Sequence, residues 1–286
     1  MSHPTQTNSP PPAVLISALR GSAGKTLVSL GLVVALRRKG IKVLPFKKGP
    51  DYIDASWLSQ AAGVPCRHLD GYLMGDDGVV KAFTSQLYRG DCSVIEGNRG
   101  LFDGVDIKGT FSTARIASLL NVPVILVIDC TKATNTVAAL VLGCLHFDKG
   151  VHIAGVVLNR VAGRRHESVI TESIRHHTGV PVVGVLPKLD IKMPERHLGL
   201  VTAAESDCEQ ILEAHGDLFE KYIGVDRVLD LAGFNPQAPL IHKTHKAECI
   251  AIKHEGFHVW RYAPDTTRAD TMQKLMPKRV EKTFQG

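Results

Sequence analysis

Several features that would narrow the function at once are missing. No apolar run in the 286 residues reaches the length of a membrane span. The opening residues, MSHPTQTNSPPP, hold neither the basic nor the apolar region of a signal peptide, and 1–12 reads as a disordered leader. The six cysteines are scattered and include no C-x-x-C pair. That excludes a disulfide framework and suits small buried hydrophobes in a reducing cytoplasm. No nucleophile elbow or catalytic triad occurs, and there are no internal repeats. The histidines of HKTHKAECIAIKHEGFH (242–258) match no zinc spacing. The net charge of +6 is not gathered into a basic stripe interleaved with aromatics, so nucleic acid is not expected. KLMPKRVEKTFQG, which carries a proline and little apolar moment, is a poor membrane anchor.

What is present is an alternation of strand and helix patterns. Apolar runs bounded by turns lie at 13–18, 41–46, 92–97, 122–129, 151–159 and 180–187. Continuous runs of this kind suit strands buried on both faces of a parallel sheet. Helical patterns fall between them at 26–40, 55–63, 79–90, 111–120, 134–147 and 166–178. The expected fold is α/β, a doubly wound and mostly parallel sheet with ligands at the carboxyl ends of the strands. After about residue 235 the pattern changes, and AECIAIKHEGFHVWRYAPD (247–265) reads as one strand and a turn before a polar tail.

The chemistry-bearing residues fall at strand ends. In RGSAGKT, Gly21 and Gly24 let backbone N–H groups face phosphate oxygens, Lys25 would reach the β- and γ-phosphates, and Thr26 would offer a hydroxyl to Mg²⁺. Arg20, Ser22, Ala23 and Leu27 complete the expected nucleotide cradle, and the next helix adds its positive end. The loop departs from the usual pattern in one place, where Leu19 stands instead of glycine. FKKGPDYID (46–54) sets Lys47 and Lys48 beside Asp51 and Asp54. Those carboxylates could hold Mg²⁺ and the lysines a phosphate or a substrate carboxylate; alternatively, the stretch is a Gly-Pro turn with solvated charges. Glu96 ends an apolar run where P-loop proteins place an acid near Mg²⁺, and Gly97, Gly100 and Gly104 permit close backbone approach. Asn159 ends another run, either to read a base edge or to cap the strand.

Taken in order, FKKGPDYID, EGNRGLFDG, VVLNRV, PVVGVLP and MPERHLGLV make the chain resemble the synthetase domain of the cobyrinic acid a,c-diamide synthase family, a relative of dethiobiotin synthetase and the MinD/ParA ATPases. The resemblance covers about residues 13–225. It implies a P-loop fold, ATP and Mg²⁺ as cofactors, and amidation of tetrapyrrole side-chain carboxylates, of the cobyrinic or sirohaem kind, through an acyl phosphate. It implies Lys25, Asp51 and Glu96 in catalysis, Thr26, Asp51 and Glu96 near the metal, and Asn159 at the adenine. Lys47, Lys48, Tyr52, Asp54, Gly100 and Asp103 would border the anionic tetrapyrrole. The net positive charge suits that pair of anionic ligands.

Two departures carry expectations of their own. Arg20 stands where MinD/ParA relatives have a lysine that reaches a partner's nucleotide; it is either an arginine acting across a homodimer or an ordinary phosphate-facing or exposed residue. The second reading is accordingly a MinD/ParA-like nucleotide switch without ligase activity. The family's glutaminase domain is represented here only by 236–286, read as a remnant of its start, so ammonia is expected from solution or from a separate glutaminase subunit. The nucleotide-binding domain is expected over 13–235, and the location is expected to be cytoplasmic.

Overall fold

The structure, a computed structural model, describes residues 12–189 and 208–234 in full, and 195–196, 199–200, 247–254 and 257–264 as backbone. Seven strands build the main sheet: β1 (Ala13–Ala18), β2 (Val43–Lys48), β3 (Arg67–Leu69), β4 (Cys92–Glu96), β5 (Val124–Asp129), β6 (Ile153–Val161) and β7 (Val182–Pro187). Their order is β3-β2-β4-β1-β5-β6-β7, and every pairing is parallel. The connecting helices are α1 (Lys25–Arg38), α2 (Tyr52–Ala62), α3 (Gly71–Thr84), α4 (Thr113–Leu120), α5 (Asn135–Phe147) and α6 (Arg164–Thr178). Two more, α7 (Cys208–Tyr222) and α8 (Val225–Leu231), follow the last strand of the sheet.

Side-chain alternation along each strand feeds two separate cores. In β1, Leu15 joins a cluster with residues of α3, α4, α5 and α6, while Val14 and Ile16 join one with α1, α2, α7 and α8. A sheet covered on both faces needs apolar residues at every strand position, which is why the strands read as unbroken runs. The chain leaves β1 for β2 on one side and later passes back over β1 to β5 on the other. The carboxyl ends of β4, β1 and β5 therefore share the crevice where such sheets bind ligands.

Several expected elements shift. The second strand begins and ends two residues later than expected, so Lys47 and Lys48 lie within β2. The helix expected over 79–90 begins at Gly71, because Asp70 caps it through the N–H groups of Tyr72 and Leu73. A left-handed Gly75 kinks this helix and breaks the apolar period there. Strand β3, three residues at the sheet edge, was too short to register as a pattern, and α7 and α8 were not expected at all.

The chain divides into two compact units, Met1–His242 and Lys243–Gly286. In the second, β10 (Ala247–His254) and β11 (Phe257–Pro264) pair antiparallel, where one strand and a turn were expected. Two residues between strands suffice for a hairpin, and so short a break is easily read as the end of a pattern. The strands β8 (Glu195–Arg196) and β9 (Gly199–Leu200) are short antiparallel partners. The 1–12 leader apart from Pro12, most of MPERHLGLV, the 235 boundary and the polar tail lie outside the described residues.

Candidate active site

The loop between β1 and α1 is held from both sides. On one, the Leu101 N–H donates to the Ala18 carbonyl at 2.7 Å, and a Cβ on Gly100 would stand 2.6 Å from the Leu19 carbonyl. On the other, Asn159 Nδ2 donates to the Ala23 carbonyl at 2.8 Å. Gly24 has φ 102°, and a Cβ there would lie 2.4 Å from Asn159 Nδ2, so both backbone and space demand glycine. Ser22 also sits in the left-handed region, at φ 57°. Leu19 does not, and its side chain packs against the apolar cluster below α3–α6. The position lacking the usual glycine therefore has no conformational need for one.

Helix α1 starts at Lys25 with no side-chain cap and no acid in its first turn, which leaves its N–H groups and positive end facing the loop. Lys25 Nζ donates to the carbonyls of Arg99 (2.8 Å) and Arg20 (3.3 Å). Burial lowers its pKa, with Glu96 opposing. Those two carbonyls are weak partners for an ammonium compared with phosphate oxygens.

Below Lys25 lies a buried charge cluster. Glu96 is fully buried. Its Oε1 accepts from Thr26 Oγ1 at 2.8 Å and from Lys47 Nζ at 3.1 Å. Its Oε2 is buried with no hydrogen-bond partner among the described residues. Lys47 is 1% exposed and also meets Asp54 Oδ2 at 2.5 Å and the Gly97 carbonyl at 3.3 Å. Burial pulls the Lys47 pKa down, but Glu96 and Asp54 outweigh it and hold it above the ordinary value. Burial, and then the Glu96 charge, push the Asp54 carboxyl well above the usual range. One lysine against two carboxylates leaves the trio one positive charge short. A buried carboxylate oxygen without a partner is costly, and on a carboxylate whose other oxygen meets a threonine hydroxyl it fits the donor chemistry of a hard divalent cation. No cluster of three or more His, Cys, Asp or Glu suited to a metal occurs among the described residues.

The other expected residues are more scattered. Asp51 Oδ1 caps α2 through the N–H groups of Ile53 and Asp54, and its other oxygen stands 3.9 Å from Lys47 Nζ. Tyr52 points into solvent and Lys48 is half-buried. Asp103 accepts from the Gly100 N–H at 2.9 Å, so it shapes the loop against Leu19. Asn159 accepts from the Arg160 N–H as well as donating to Ala23, so its amide braces the P-loop.

One group went unnoticed in the sequence. Asp129 ends β5 as Glu96 ends β4, and its Oδ2 accepts from Arg20 Nη2 (2.6 Å) and Arg160 Nη1 (2.5 Å). Its Oδ1 accepts from the backbone N–H and hydroxyl of Thr131 at 3.0 and 2.6 Å. Burial would raise its pKa; the Thr131 hydrogen bonds and then Arg160 outweigh that and hold it below the ordinary value. Arg20 is thus engaged by its own chain. An acid at the end of an apolar run was the available signal, the same one that marked Glu96.

The parallel sheet, the glycine loop and the Lys25–Thr26–Glu96 contacts define a P-loop nucleotide-binding fold. Residues 14–201 match the family described as CobQ/CobB/MinD/ParA nucleotide binding domain, and the chain belongs to that family. It is 44% identical over 223 residues to a cobyrinate a,c-diamide synthase of Magnetococcus marinus, matching 77% of this chain and 48% of that protein. Similar proteins of the same name occur in Methanosarcina acetivorans (42% over 248 residues, 82% and 50%) and Listeria monocytogenes (43% over 223 residues, 77% and 49%). The chain spans about half the length of the curated relatives it matches. No helix among the described residues is long and apolar enough to cross a membrane.

Proposed function

We propose that this chain is the ATP-dependent half of an amide-forming ligase that acts on carboxylate side chains of a tetrapyrrole of the cobyrinic kind. The observation that carries the reading is that the whole polar site, from Arg20 to Asn159, lies inside the 14–201 family match. Its relatives at 42–44% identity are cobyrinate a,c-diamide synthases.

In this reading Lys25 exchanges its two carbonyl partners for the β- and γ-phosphate oxygens of ATP. Thr26 and Glu96 would hold Mg²⁺, which when bound would supply charge neutralisation. Glu96 stays oriented because Lys47 grips its other oxygen, and Lys47 in turn is fixed by Asp54. The substrate carboxylate oxygen attacks the γ-phosphorus and ADP leaves, giving an acyl phosphate. Ammonia then attacks the carbonyl carbon, loses a proton, and phosphate departs with the former carboxylate oxygen. A bare carboxylate resists nucleophiles, so making its oxygen a leaving group is the main chemical task, and the protein aligns and neutralises charge. That agrees with a site lacking a side-chain nucleophile.

The experiment uses ¹⁸O-carboxyl cobyrinic acid, ATP, Mg²⁺ and ammonium with the full chain. Amide product by mass, with ¹⁸O in the released phosphate, is expected. Bound ATP without either signal overturns the ligase.

A further inference from the structure

The crevice has two flanks, and they differ in what they offer. Lys25 meets the Arg99 carbonyl and Thr26 meets Glu96, so the phosphate and metal end of the site faces β4. The nucleoside end of a bound nucleotide then leaves the P-loop on the opposite flank, where β5 and β6 end. That flank touches the loop twice, through Asn159 at the Ala23 carbonyl and through Asp129 at Arg20.

Both turns on this flank are strained. Lys132, after β5, is held at φ 56°, and Arg160, near the end of β6, at φ 59°. Neither residue type favours the left-handed region by itself, so the surroundings must hold it there. At Arg160 the pairing of β6 with β7 slips between Leu158 and Val161. An irregularity of this kind re-aims the side chains of its strand. Here Asn159 meets Ala23 while its neighbour Arg160 meets Asp129, so two successive residues serve one flank. Packing does not hold these turns, because Thr131, Lys132 and 162–165 are exposed.

One side chain ties the two turns together. His166, half-buried in the first turn of α6, accepts from the Ala162 N–H at Nδ1 (3.0 Å). Its Nε2 stands 2.6 Å from the Ala133 carbonyl. A carbonyl only accepts, so the proton is on Nε2 and both ring nitrogens are used. Ala162 lies two residues after Arg160, and Ala133 lies one residue after Lys132. The sheet does not need this bridge, since β5 and β6 already pair as far as Asp129 and Asn159, and the Cys130 N–H donates to the Asn159 carbonyl at 2.9 Å. The imidazole acts beyond the sheet, where only the turns continue.

Resting only on the nucleotide-binding half of the reading above, we propose that His166 is a positioning residue for the nucleoside end of the ATP site. It touches no part of the nucleotide. It fixes the turns after β5 and β6 against each other, and so sets the width of the flank on which the base and ribose lie.

The test compares two ligands on the full chain with Mg²⁺ by titration calorimetry: a non-hydrolysable ATP analogue and inorganic triphosphate. Triphosphate fills only the Lys25–Thr26 end, whereas the ATP analogue also needs the far flank. His166→Ala is expected to weaken the ATP analogue about tenfold and to leave triphosphate within about twofold. His176→Ala, an exposed histidine on the same helix, should match the unaltered chain for both ligands. If the alanine variant does not fold, His166→Gln, which keeps a donor and an acceptor on a differently shaped side chain, is read in the same way, with a loss confined to the ATP analogue expected. Equal weakening of both ligands reduces His166 to general stability and overturns the proposal, as does unchanged affinity for the ATP analogue. An unaltered chain that binds the analogue no better than triphosphate overturns the proposal and leaves the phosphate site standing, whereas binding of neither overturns the nucleotide site itself. Neither ligand is a carboxylate substrate, so the ligase reading can fail without altering these outcomes.

Discussion

Two acids end the strands that flank β1, and they have opposite surroundings. Glu96, at the end of β4, has one oxygen held by Thr26 and Lys47 and the other buried without a partner among the described residues. Asp129, at the end of β5, has both oxygens filled by four donors from Arg20, Arg160 and Thr131. An unfilled buried oxygen is destabilising, and a cation would relieve it. A filled one is already at its most favourable and resists change. The contrast separates a carboxylate available for chemistry from one that holds the loop in place.

Glu96→Gln should break the comparison most severely. It keeps the shape and removes the charge, and Mg²⁺-dependent ATP hydrolysis should fall about 10- to 100-fold. Nucleotide binding measured without Mg²⁺ should change little. A variant with normal metal dependence would remove Glu96 from the metal.

Asp129→Ala should instead lower stability. Losing the charged hydrogen bonds to Thr131 costs about 1.5–3 kcal/mol, and the half-exposed arginines add little. For a domain of this size that is a fall in Tm of roughly 3–10 °C, measured by calorimetry. Metal dependence should be unchanged, and a loss there would erase the distinction between the two acids.

His215 sharpens the comparison, because it too has a buried unpartnered atom, yet lies on α7 against the middle of α1 rather than at a strand end. Its Nδ1 is bound to the Ile211 carbonyl, Nε2 has no partner among the described residues, and burial lowers its pKa. The unfolded chain therefore binds the extra proton more readily, so stability is present above the ordinary histidine pKa of about 6.5 and is lost as pH falls below it. His215→Leu should flatten the dependence of Tm on pH between about 5 and 7. An unaltered slope would assign the acid sensitivity to other groups.

The smallest effect is expected at Arg20. Its side chain is 65% exposed, so the Asp129 pair is worth under about 1 kcal/mol. Arg20→Ala should leave hydrolysis within about twofold and the oligomeric state unchanged by light scattering. Loss of nucleotide-dependent dimerisation would revive a role across a dimer.

Much of the site was legible because its residues follow strands at regular positions. Lys25 and Thr26 sit between a strand and a helix, and Glu96 ends a run of apolar residues. Each is placed by local pattern, and the turn glycine Gly24 is required by its own backbone. Lys47 was harder to read. A lysine beside a Gly-Pro turn looks solvated, but its strand begins two residues later than the pattern suggested, which turns it inward between Asp54 and Glu96. Asp51 read as a metal ligand; one of its oxygens caps α2, a local role the pattern did not show, and the other stands 3.9 Å from Lys47 Nζ.

The sequence alone determined the alternation of strands and helices, the P-loop and the family, because these depend on periodicity and on glycine, lysine and threonine at fixed offsets. Only the tertiary structure decided which charges meet. Asp129 and Arg20 are 109 residues apart, Glu96 and Thr26 are 70 apart, and both pairs form because parallel strands bring their carboxyl ends to one edge. It also decided the fate of Leu19. A missing glycine is a defect only where the backbone is left-handed or crowded, and here the chain passes that point in an ordinary conformation, with the leucine half-buried against the core.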